Sequence, residues 1–344
     1  MGSYRLRRGL TSISTVMFLL GAGLACGEPG ELVLDIDLVL GSEEDEAEYF
    51  FGTIASVVED SRGNIYVVDA SQMSVLKFQP DGEYLGRMGQ AGEGPTDLMR
   101  FLHLTIDAHD HIHFTGMGER VEIVDLDWQP VDAFARINVE NIANSLAVFD
   151  DGGTVIVSPN TSQHTSLDLY DASHQHILSF SDTYAVDLDL PARIESVFSG
   201  GSVAITTREE ILYLQRAPYV VRVFDRAGVL LRSTSTGGED VVDPPEMPEI
   251  KGESVSYRSL SSSTGLVSLP DGEILTTAYR FIEDEHRQSY CFFHDENLTL
   301  LGRYEQPGFL MAKSVSHNGS VYFAERTESG NRVLRAKVMT KGTH

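Results

Sequence analysis

The chain has 344 residues, of which 42% are hydrophobic and 22% charged, a composition able to bury a substantial core and unlike that of a disordered chain. Its formal net charge is −25. A surface of that sign repels phosphate backbones and anionic head groups, which argues against a nucleic-acid binder and against attachment to a membrane through basic residues; it favours solubility and leaves cations and basic partners as electrostatic ligands.

Arg5, Arg7 and Arg8 open the chain, and an apolar run from Ile13 to Ala25 follows, interrupted only by small residues. The run is short for a bilayer span and has the length of a signal-peptide core, so residues 1–25 read as an export leader. It ends Gly23-Leu24-Ala25-Cys26. Small residues just before a cysteine at this place resemble the bacterial lipobox, which implies that Cys26 becomes the first mature residue and carries a lipid. Gly23 stands where that motif prefers an aliphatic residue, so ordinary cleavage and secretion stay open. The other cysteine, Cys291, lies in the apolar run Tyr290-Cys291-Phe292-Phe293 and is expected to be a buried, inert thiol; a Cys26–Cys291 disulfide in a secreted form is the alternative.

Residues 26–50 form the anchored N-terminal segment. Within it, residues 32–40 are a predicted strand without a partner in its own repeat. The acidic stretch Ser42-Glu43-Glu44-Asp45-Glu46-Ala47-Glu48 comes next, and its closeness to Cys26 suggests a spacer that holds the domain off an anionic surface.

From residue 51 to about 340 one pattern recurs: apolar strand, tight polar turn, apolar strand. The turns centre on Gly63, Asp110, Gly153, Gly201, Gly272 and Gly319, at intervals of 47, 43, 48, 71 and 47 residues. Glycine suits such a turn because it tolerates positive φ. A second hairpin follows each of the first five turns: residues 75–85, 121–131, 167–177, 221–231 and 290–301. Four short strands per repeat of about 45 residues predict an all-β, six-bladed β-propeller with four-stranded antiparallel blades. The 71-residue interval accommodates an insertion at 237–254, rich in proline and acid. The last repeat has three strands, so strand 32–40 is expected to complete it and close the ring.

The run Asp60-Ser61-Arg62-Gly63-Asn64-Ile65-Tyr66-Val67-Val68-Asp69, with Phe78-Gln79-Pro80-Asp81-Gly82 and the glycine-rich stretch 89–95, resembles an NHL-type propeller repeat. With the lipobox, the chain is similar to bacterial six-bladed β-propeller lipoproteins over residues 26–340. The resemblance implies an envelope location, periplasmic or outer-surface, and little about activity, because that group is defined by fold.

No Gly-x-Ser-x-Gly elbow and no phosphate-binding glycine loop followed by lysine occurs, and Gly89–Gly94 lacks the strand–helix context of a dinucleotide fingerprint. His109, His111 and His113 alternate and could share a zinc, but they occupy a hairpin turn and read as solvent-exposed, as do His174 and His176. Lactonase-like propellers hold a metal near the axis with Glu, Asn and Asp side chains; His103, Asn144 and Glu195 are the inner-strand candidates for calcium or zinc here, a thin oxygen set. Loops joining second to third strands, and those between blades, contribute Arg100, Arg208, Tyr257, Arg258, Tyr279, Arg280, Glu283, Asp284 and His286, residue types favoured for recognition. The leading expectation is a non-enzymatic, envelope-anchored binding or scaffold propeller, with no cofactor, that takes a protein, peptide or glycan ligand. The alternative is a metal-dependent hydrolase or lyase.

Overall fold

A computed structural model describes residues 30–41, 49–92, 97–98, 101–116, 120–137, 145–184, 192–243, 249–251, 254–256, 260–283 and 286–341. Strand β1 spans Gly30–Leu40. Strands β2 to β5 (Ile54–Glu59, Ile65–Asp69, Ser74–Phe78, Tyr84–Met88) form one antiparallel sheet, and β6 to β9 (Phe101–Ile106, Ile112–Gly116, Arg120–Val124, Pro130–Ala135) a second. The third comprises β10 to β13 (Ser145–Val148, Thr154–Asn160, Thr165–Tyr170, His176–Asp182). Helix α1 (Ala192–Phe198) leads into the fourth, β14 to β17 (Gly201–Ile205, Ile211–Gln215, Val220–Phe224, Leu230–Thr234). A small hairpin, β18 (Glu249–Lys251) and β19 (Ser254–Ser256), stands apart. The remaining strands are β20 to β23 (Ser261–Ser268, Ile274–Glu283, His286–His294, Leu300–Pro307) and β24 to β26 (Phe309–Val315, Val321–Thr327, Gly330–Thr340). With β1 they make one eight-stranded sheet in the order β20-β21-β22-β23-β1-β26-β25-β24.

Within that large sheet, β20 to β23 join β24 to β26 and β1 through one narrow contact. β1 runs antiparallel to β26 from Leu32↔Thr340 to Leu40↔Val333, and touches β23 only through the parallel pairs Gly30↔Gly302 and Glu31↔Arg303. Packing follows the same division. The apolar core falls into six clusters, each shared by neighbours in the ring, and the ring closes where Leu40, Tyr322 and Val333 meet Val57, Val67 and Phe78. Each large side chain buried between two sheets stabilises by about 1.5–3 kcal/mol.

One five-residue turn recurs eleven times among the described residues. The first amide donates to the fifth carbonyl, and the fourth amide donates to the first carbonyl, as in Asp60–Asn64, Asp107–His111 and Asp225–Val229. The fourth residue always has positive φ: it is Gly63, Gly82, Gly152, Gly228, Gly272 or Gly319, and elsewhere Asp110, Trp128, His174, Glu209 or Leu298. In six copies an aspartate opens the turn. Its carboxylate accepts the amides two and four residues on, as Asp60 does from Arg62 and Asn64 and Asp295 from Asn297 and Thr299. That carboxylate holds the turn shut, so the left-handed residue need not be glycine.

Two turn positions expected from glycine differ accordingly. The third turn has Gly152, not Gly153, in the left-handed position, and the fourth is Thr206–Glu210 with Glu209 there. Gly201 instead begins β14, where an added Cβ would lie 2.0 Å from the Leu214 carbonyl oxygen. The extra length thus divides between two connections: α1 before β14, and the segment containing β18 and β19 before β20. The seven-residue α1 falls below the window in which periodicity reveals a helix.

Candidate functional site

All eleven turns gather at one end of the sheets, the hairpin-turn end. The connections from second to third strands, and from each sheet to the next, make the other, the loop end. Between them runs an axial cavity of about 500 Å³ lined by the innermost strands β2, β6, β10, β14, β20 and β24.

An innermost strand has one edge without a strand partner, and each neighbour in the ring addresses that edge. Ser56 Oγ of β2 donates to the Leu104 carbonyl of β6 (2.9 Å). His103 of β6 bonds to the Leu146 backbone of β10. The Val203 amide of β14 donates to Ser145 Oγ of β10 (3.2 Å). The Ser263 amide of β20 donates to the Arg216 carbonyl just after β15 (2.9 Å). The Ala312 amide of β24 donates to Thr277 Oγ1 of β21 (3.2 Å). Lys313 of β24 donates its amine to the Ala55 carbonyl of β2 (2.8 Å). A hydrogen bond therefore crosses every junction, satisfying backbone groups that would otherwise be buried unpaired at a cost of about 1–3 kcal/mol each.

The titratable groups in the described lining of the cavity are all bases. His103, Arg216 and Lys313 line it, and no Asp or Glu is among its described lining residues. Burial draws the Lys313 amine down to about 7, with no described carboxylate opposing the shift. Burial, with the nearby Lys313, draws His103 down to about 4, so its ring is neutral at pH 7.

The two described members of the candidate metal set engage separate partners. His103 faces the cavity with its ring bonded to Leu146. Glu195 sits on α1 rather than on an inner strand; buried at 6% exposure, it accepts from Thr183 Oγ1 and pairs with His164 Nδ1 at 3.2 Å. Asn144 lies outside the described residues. So do Cys26, Arg100, Tyr257, Arg258 and Asp284. No group of three potential metal ligands occurs among the described residues.

The expected recognition residues also separate. Arg208 belongs to the turn Thr206–Glu210 at the hairpin-turn end, where it pairs with Glu296, not on the loop end. Arg280 is on the loop end but holds the preceding insertion: it donates to the Asp240 carbonyl (2.9 Å) and pairs with Asp243 (3.1 Å). Tyr279 packs against Phe281 and Phe309, and the Arg287 guanidinium covers all three rings at 4.8–5.7 Å. Two of the turn histidines are less exposed than expected. His113 is 3% exposed and bonds to Asp107 at 3.0 Å, and His174 stacks on Phe134 at 4.6 Å; both are structural. The sequence missed the His164–Glu195 pair because α1 had no periodic signal.

No protein-family model matches the chain, and no curated protein does. Solved structures do. A DUF4221 family member from Bacteroides vulgatus superposes with a TM-score of 0.60 at 8% identity, covering 91% of this chain and 100% of its own. A streptogramin B lyase superposes at 0.53 and 9% identity, covering 90% and 98%. The WD40 β-propeller domain of Doa1 superposes at 0.50 and 15% identity, covering 88% and 97%. The fold is an all-β propeller. At these identities the likeness concerns fold alone.

Proposed function

We propose that this is an exported binding propeller of six blades, anchored through a lipid on Cys26, whose ligand-facing surface is the loop end. Six inner strands, six inter-sheet clusters and the narrow contact between β1 and β23 support counting the eight-stranded sheet as two blades. The export leader and the lipobox-like run support the anchor. The observation that carries the reading is the direction of β1. Its Gly30 end pairs beside Thr340 and Gly302, at the hairpin-turn end, and only three residues separate Cys26 from Gly30. Such a tether reaches about 14 Å, so an anchored propeller turns its hairpin end to the membrane and its loop end away from it. β1 then carries the chain about 33 Å to the loop end before the acidic stretch 42–48, which lies outside the described residues; a spacer role beside the anchor loses its motivation.

Membrane fractionation of Cys26→Ser tests the anchor: the variant should move to the soluble fraction, and retention in membranes refutes it. A photo-crosslinker at Arg287, on the loop end, should yield partner adducts that one at Asp127, on the hairpin-turn end, does not. The reverse pattern refutes the binding surface. The bound class expected is a protein, peptide or glycan.

One observation favours a second reading, a hydrolase or lyase. A buried carboxylate holding a half-exposed histidine, as Glu195 holds His164, is the arrangement of a general base and its orienting partner. Turnover of a lactone or cyclic ester by the purified protein, lost in His164→Ala, would establish it. Stoichiometric calcium or zinc in protein purified without chelator would redirect the search to a metal site.

A further inference from the structure

We propose that the axial cavity is a binding site for a small organic carboxylate, with the Lys313 amine as its counter-charge. This deepens the binding-module reading and rests on it.

Two features of the wall point to such a ligand. The first is an amine with no counter-ion among the described residues. Lys313 Nζ donates to the Ala55 carbonyl (2.8 Å) and contacts Met311 Sδ (2.7 Å), and no described carboxylate lies within ion-pair distance. Two of its three N–H donors are thereby directed, and the third has no described protein acceptor. A strut from β24 to β2 needs only a neutral donor. A lysine adds a charge that no described carboxylate offsets, and an anion beside it would offset it.

The second is the character of the cavity. The chain has nearly twice as many acidic as basic residues, 51 Asp and Glu against 26 Lys and Arg, yet the described lining has none of the acids. The titratable and charged groups that face the lumen with Lys313 are His103 from β6 and Arg216 from the connection after β15; β2, β10, β14 and β20 contribute none. His103 is held neutral. The remaining wall mixes hydroxyls with apolar side chains such as Ile54, Leu146, Val203 and Leu266. One amine in a wall of mixed hydroxyl and apolar groups suits a carboxylate with a short hydrocarbon body better than a phosphate, whose higher charge needs more donors. About 500 Å³ accommodates such a molecule.

Hexanoate is the probe, titrated calorimetrically into the purified full-length protein, with hexanol and inorganic phosphate as comparisons. The expected result is one hexanoate per chain, bound at least tenfold tighter than either comparison, and tightening as pH falls from 8 to 6 because the bound form requires the protonated amine. Lys313→Met should weaken binding at least tenfold, whereas Lys313→Arg should keep it and flatten its pH dependence. Absence of saturable hexanoate binding, equal binding of hexanol, or wild-type binding that does not change between pH 8 and pH 6 overturns the proposal; the last needs no variant to fold. Tighter binding of phosphate overturns the choice of ligand class. The loop-end crosslinking pattern is a separate readout, so either reading can fail while the other stands.

Discussion

The Lys313 amine of the last inner strand donates to the Ala55 carbonyl of the first, 2.8 Å away and 258 residues apart in the chain. This bond closes the ring at its axis, while β1 closes it at the periphery through its pairing with β26. The two closures lie at opposite edges of the run β1-β26-β25-β24, so the junction between the chain's two ends is held inside and out.

The axial closure makes stability depend on pH in a defined direction. The folded amine releases its proton near pH 7, and the unfolded one near 10.5. Between those values the unfolded chain binds the extra proton, so this group's contribution rises with pH through the window and is lost as pH falls to 7. The melting temperature of Lys313→Met relative to wild type should therefore be more favourable at pH 6 than at pH 9.5. Scanning fluorimetry at both values checks this; an equal difference at the two excludes it.

His103 acts in a lower window with the same sign. Burial lowers its folded value to about 4 from 6.5, so its contribution is present above about 6.5 and lost as pH falls toward 4. A His103→Asn variant should show a smaller loss of stability between pH 7 and pH 4.5 than wild type, measured by urea unfolding at each pH.

The peripheral closure rests on few side chains. Leu32 of β1 is 1% exposed and packs with Val267, Phe293 and Leu334. Leu32→Ala should cost about 2–5 kcal/mol, the range for a buried leucine. Val33, its exposed neighbour on the same strand, should cost less than about 1 kcal/mol on the same change. Chemical denaturation of both variants separates a ring-closing strand from a loosely attached one.

Inner strands approach closely where they meet. An added Cβ at Gly265 of β20 would lie 2.2 Å from the Ala312 carbonyl oxygen of β24. Gly265→Ala must push those strands apart and should destabilise by about 1–3 kcal/mol or more. An unchanged urea midpoint would mean that the junction gives way easily.

The sequence by itself determined the repeating unit. Alternating apolar runs require sheets with buried faces, and an aspartate that caps its own turn, or a glycine that tolerates positive φ, marks where each strand reverses; both are local, so they are legible without knowing the neighbours. Glycine alone misled at Gly201, a glycine imposed by the close Leu214 carbonyl, and hid the turn at Glu209, where Thr206 takes the capping part. Only the tertiary structure decided what faces the axis. Lys313 and His103 stand in strands whose local pattern is ordinary. Their burial, their bonds to Ala55 and Leu146, and the absence of acids from the described lining arise from residues far apart in sequence that converge when the ring closes. The pairing of His164 with Glu195 across 31 residues, and the removal of Arg208 to the opposite end, were decided the same way. Electrostatic environment is set by neighbours in space, and a repeat pattern in sequence fixes the strands without saying which of their side chains will meet.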